Sequence, residues 1–78
     1  MIWAEIRNDY EEEVEGQGRT VFVDAWETGD DNEEGQVIAQ VFKNPDDEVK
    51  VKYYDERAKK DKYSQEVIQD AIKKLKAS

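Results

Sequence analysis

The chain holds four short runs in which β-branched and aromatic residues alternate with polar ones, and one stretch with a helical stripe. A sheet has two faces, and one amphipathic helix covers only one of them. That imbalance constrains the fold more than any other feature. The runs are Ile2 to about Asn8, Thr20 to Thr28, Gln36 to Lys43 and Val49 to Tyr54. Alternation at period two marks each as a strand. The stripe is Tyr63, Val67, Ile68, Ala71, Ile72 and Leu75, spaced by three and four residues as on one helical face. Asp61 or Ser64 suits the N-cap. Lys73, Lys74 and Lys76 fall late, where they complement the helix dipole. The expected architecture is α+β: a four-stranded antiparallel β-meander with one C-terminal α-helix packed on one face. Residues 1–78 form a single small domain, because 78 residues leave no room for two.

The connections fit hairpins. Asn44-Pro45-Asp46-Asp47 places Pro at the second position of a type I turn. A loop from Asn44 to Glu48 sets Val41 opposite Val51 and Ala39 opposite Tyr53. Pairing Val23 with Val41 and Ala25 with Ala39 keeps the same parity across the second and third runs. Residues 9–18 admit two readings. Tyr10 and Val14 continue the even-numbered pattern toward a turn at Gly16-Gln17-Gly18, or the segment is an acidic loop. Asp55 to Lys60 reads as a polar connector.

Parity sorts the strand residues into two unlike faces. One is nearly all aliphatic and includes Ile6, Val21, Val23, Val37, Val41 and Val51. This face suits the helix. The other carries Trp3, Phe22, Asp24, Trp26, Ile38, Phe42 and Tyr54 among charged residues that include Arg7, Lys50 and Lys52. A solvated sheet face is normally polar. An uncovered aromatic patch rimmed by charge marks an interaction surface, and Trp and Tyr are enriched at binding hot spots. Trp3, Phe22, Asp24, Trp26, Ile38, Phe42 and Tyr54 are therefore the candidate partner-binding residues. The competing reading is that the aromatics pair across strands and simply stabilise the sheet.

Composition narrows the chemistry. Acids number 20 against 12 bases, a net charge of −8, with no Cys and no His. A disulfide framework, a thiolate or imidazole zinc site, a Cys nucleophile and a His-dependent triad are excluded for this chain acting alone. The net charge opposes direct binding of nucleic acid. The mean hydropathy of −1.05 would suit a disordered chain, but the clean alternation and eight aromatics argue for a folded one. No stretch approaches the roughly 20 apolar residues of a membrane span. Met1-Ile2-Trp3-Ala4-Glu5 shows neither a basic n-region nor an apolar h-region, so the expected compartment is the cytoplasm.

Charge is unevenly distributed. Residues 1–48 hold 15 acids and three bases; residues 49–78 hold five acids and nine bases. The simplest reading is attraction between the halves within one fold. Lys59, Lys60 and Lys62, with the late lysines, form a local basic patch that the overall charge opposes as a nucleic-acid site. Asp30, Asn32, Glu34 and Gly35 match the start of a calcium-binding EF-hand loop. Position 12 of that loop would be Val41, where a bidentate Glu is required, so the segment is read as a polar hairpin loop. Ser64 and Ser78 have no activating base in view. No metal, cofactor or catalytic residue is assigned.

Two functions of different class follow. The first is a non-enzymatic protein-binding module, using the aromatic face and the acidic loops against a basic partner. Its sharpest version is an inhibitor or adaptor of the kind phages and mobile elements encode, with carboxylates mimicking the phosphates of DNA. The meander puts those acids at two poles rather than in one row, which weakens the mimic. The second is a structural homodimer with the aromatic face buried against itself.

Overall fold

The computed structural model describes residues 3–27 and 35–77. Four antiparallel strands, β1 (Glu5–Val14), β2 (Gly18–Trp26), β3 (Gln36–Lys43) and β4 (Val49–Tyr53), lie in the order β1-β2-β3-β4. A one-turn helix α1 (Arg57–Lys60) and a longer helix α2 (Lys62–Lys76) follow. The fold is the α+β meander with a C-terminal helix on the sheet, ββββα. The connector read from Asp55 to Lys60 contains α1, an added turn.

Three local interactions set the elements. Asn44 Oδ1 accepts from the backbone N–H groups of Asp46 and Glu48, both at 3.0 Å, and Asp47 N–H donates to Asn44 O. This closes the five-residue loop and fixes Val41 opposite Val51 and Ala39 opposite Tyr53, as the turn chemistry implies. The second is at Gly18, whose positive φ of 81° favours glycine, and where a Cβ would collide with the Lys43 carbonyl oxygen. The third is the α2 cap. Asp61 accepts from Ser64 N–H at 3.0 Å and from Ser64 Oγ at 2.6 Å.

The core lies between the sheet and α2. Val21, Val23, Ala25, Ala39 and Val41 meet Ile68, Ala71 and Leu75, with Ile6, Val51, Tyr53, Val67 and Ile72 partly buried around them. The inward stripe of α2 centres on Ser64, Ile68, Ala71 and Leu75. Tyr63, expected inside, is exposed. Between β2 and β3 the register differs by two residues from the expected one: Val21 faces Val41 and Val23 faces Ala39.

Two bulges break the period-two parity. In β1, Arg7 faces Asp24 and Tyr10 faces Phe22, so Asn8 and Asp9 together oppose Val23. The strand does run on to Val14, but the bulge exchanges its faces. Tyr10 turns away from the helix, while Glu11 turns toward it and meets Lys74 at 2.6 Å. In β3, Val23 faces Ala39 and Asp24 faces Val37, leaving Ile38 as the extra residue. No described helix is long and apolar enough to cross a membrane.

Candidate functional site

Among the described residues, no element packs on the sheet face opposite α2. The β1 bulge delivers Tyr10 to this face, with its ring 5.6 Å from Phe22 and tilted by 44°. One residue before the bulge, Arg7 lays its guanidinium 4.2 Å from the centroid of Trp26 and pairs with Glu5 at 3.0 Å. The β3 bulge turns Val37 outward to join them. Gly35 lies against the indole of Trp26; a Cβ there would fall 2.8 Å from three of its ring atoms. Glycine is what lets the backbone approach that ring so closely.

The result is an open groove of 480 Å³ lined by Arg7, Asp9, Tyr10, Phe22, Asp24, Trp26, Gly35 and Val37. Its floor is aromatic, and its walls carry two carboxylates and one guanidinium. Along the same face lies a polar chain. Tyr54 Oη donates to Gln40 Oε1 at 2.8 Å, and Gln40 Nε2 donates to Gln17 Oε1 at 2.6 Å. Lys52 Nζ lies 5.2 Å from the ring centroid of Tyr54, and Phe42 is half-buried beside this chain.

Of the residues assigned to this face from sequence, Phe22, Asp24 and Trp26 come together in the groove. Phe42 and Tyr54 share the face but lie outside the groove. Trp3 and Ile38 are corrections. Trp3 is 1% exposed and Ile38 0%, so neither can touch a docked partner. The chain bends at Ala4 before β1 begins, which carries Trp3 into the core beneath Arg57, 5.0 Å from its ring. The β3 bulge does the same for Ile38, whose carbonyl also accepts from the N–H groups of Tyr54 and Asp55. The residues that parity missed are Asp9, Tyr10, Gly35 and Val37. One signal was present: Asn8-Asp9 sets two poor strand formers side by side within a strand.

Charge is resolved on the helix side of the sheet. Hydrogen bonds from Lys74 and then Arg19 hold the Glu11 carboxyl below the ordinary carboxylate range. Arg57 does the same for Asp55, through bonds of 2.7–3.2 Å. At the end of the sheet that carries the Asn44–Glu48 loop, Glu13 and Asp47 alternate with Arg19 and Lys43. Among the described residues no group of three or more His, Cys, Asp or Glu gathers as a metal site. The calcium-loop reading of Asp30, Asn32 and Glu34 lies outside the described residues. Comparison with protein-family models, with curated proteins and with solved structures finds no match to this chain.

Proposed function

We propose that this chain is a non-enzymatic protein-binding module whose docking surface is the aromatic face. One observation carries the reading: Tyr10, Phe22 and Trp26 line a groove that no described element covers. A solvated sheet face is normally polar. Arg7 over Trp26 and the carboxylates of Asp9 and Asp24 supply directional contacts around the aromatic floor. Such a mix of rings and charges suits a protein surface better than a small substrate.

A positional test is direct. A photo-reactive amino acid is placed at Tyr10 in one variant and at Glu66, on the outer face of α2, in another. Both are irradiated in the producing cell, and the adduct masses are read. A discrete adduct from position 10 and none from position 66 is the expected result. Equal adducts from both positions, or an adduct from position 66 alone, would reject the aromatic face as the docking surface.

A further inference from the structure

Resting on that reading of the face, we infer that its occupant is a second copy of the same chain, packed face to face about a two-fold axis parallel to the strands. The argument comes from how charge is distributed across the strand register. One cross-strand row runs Glu12, Thr20, Phe42, Lys50 from β1 to β4. The next runs Tyr10, Phe22, Gln40, Lys52. Both rows lie on the face opposite α2; Thr20 and Gln40 are buried within it, and the row ends Glu12, Tyr10, Lys50 and Lys52 are exposed. Each begins on β1 with an acid or an electron-rich ring and ends on β4 with a lysine. The β1–β2 half of the face also carries Glu5, Asp9 and Asp24 against the single cation Arg7. β4 itself carries Lys50 and Lys52 and no acid, and Glu48, just before it, reaches Lys50 at 3.8 Å.

A two-fold axis that keeps the strands of the two copies aligned runs either across them or along them. An axis across the strands lays β4 on a reversed β4, which crowds Lys50 and Lys52 of one copy against those of the other, and leaves those lysines without an acid from β1. Like charges opposed in an interface are strongly unfavourable. An axis along the strands, between β2 and β3, lays β1 of each copy on β4 of the other. Glu12 then meets Lys50 of the second copy, and Tyr10 meets Lys52 of the second copy as a cation–π contact. Phe22 and Phe42 fall near the axis, in the apolar centre. The contact is isologous and closed, as a two-fold interface requires. The lysines of β4 and the acids of β1 therefore favour the axis along the strands.

Size and net charge set the strength. Four strands about 4.8 Å apart and roughly 25 Å long give a face of about 500 Å² per copy. The total of about 1,000 Å² sits at the threshold of a specific interface. Each copy carries −8, but charges farther apart than about 8 Å are largely screened at physiological ionic strength. The facing pairs then outweigh the mutual repulsion of distant acids, and the dimer dissociates on dilution.

The test is sedimentation equilibrium on the wild-type chain over a wide concentration series, with two charge-reversal variants. The expected wild-type result is a monomer–dimer equilibrium. Glu12→Lys alone opposes lysine to lysine, and Lys50→Glu alone opposes acid to acid, so each should self-associate at least about tenfold more weakly. An equimolar mixture of the two variants restores both pairs, Lys on Glu and Glu on Lys, and should give the dimer mass. Both positions are exposed, and circular dichroism checks that each variant folds. A wild-type monomer at every concentration overturns the second copy, as does a mixture that stays monomeric. A wild-type monomer whose position-10 probe still yields an adduct with another protein would reject only the second copy. A position-10 probe that yields no adduct of any mass would reject the docking face itself.

Discussion

Trp3 and Trp26 are the same residue type put to opposite uses. Trp3 is sealed in the core, with Arg57 over its ring and no hydrogen-bond acceptor for its indole N–H among the described residues. Trp26 lines the open groove under Arg7. Replacing a buried Trp by Ala removes its transfer free energy and leaves a cavity, at a cost of about 3–5 kcal/mol. A domain of this size has total stability of the same order. Trp3→Ala is therefore expected to leave the chain marginally folded, read as a large drop in the urea midpoint. A drop worth less than about 1 kcal/mol would place Trp3 at the surface after all. Nothing in a period-two pattern separates these two residues. Trp3 falls on the outer face by parity, and only the bend at Ala4 brings it inside. Ile38, Val37 and Tyr10 are misplaced for a related reason. A bulge adds one residue to one strand, and every residue beyond it changes face.

Elements were more legible than residues, wherever the chemistry was local. The Asn44–Glu48 loop could be read because Asn and Pro select the turn and the loop length then sets the pairing of β3 with β4. The β2–β3 register could not, since it depends on the Ile38 bulge and on a longer connection. For α2 the apolar spacing gave the helix and a choice of cap, and the stripe turned out to centre on Ser64, Ile68, Ala71 and Leu75. Its N-terminus depends on Asp61, whose carboxylate satisfies both Ser64 N–H and the buried Ser64 hydroxyl. Loss of an N-cap costs about 0.5–2 kcal/mol, and a buried hydroxyl left without its partner pushes that cost upward. Asp61→Ala should destabilise the domain by about 2 kcal/mol in urea unfolding, near the top of that range. Asp61→Asn, which keeps an acceptor at the cap, should recover most of the loss. An alanine variant as stable as the wild type would mean that packing alone fixes the start of α2.

At the scale of the whole molecule, the acidic first part and the basic last part are joined by ion pairs. Lys74 of α2 reaches Glu11 of β1 at 2.6 Å, and Arg57 reaches Glu27 at 3.9 Å. The Glu11 link exists because of the β1 bulge, since unbroken alternation would leave Glu11 on the aromatic face. One irregularity thus serves both sides of the sheet, sending Tyr10 out to the groove and Glu11 in to the helix. The overall asymmetry of charge is plain in the sequence; this division of labour is not, because it turns on a backbone feature rather than on residue type. It has a pH signature. Lys74 and Arg19 hold the folded-state Glu11 carboxyl below its unfolded value. On acidification the unfolded chain therefore takes up the proton first, and stability falls. The contribution is complete above the ordinary carboxylate range and is lost as the pH drops through the lower, folded-state value. Asp55, held down by Arg57, acts in the same direction. Glu11→Gln should be less stable than the wild type at neutral pH, and the two unfolding midpoints should converge as acidification protonates the wild-type carboxyl in the folded state as well. Salt should narrow the neutral-pH gap, because both groups are partly exposed and their attraction is screened. A gap that stays constant from neutral to acid pH would show that Glu11 acts through packing and not through its charge.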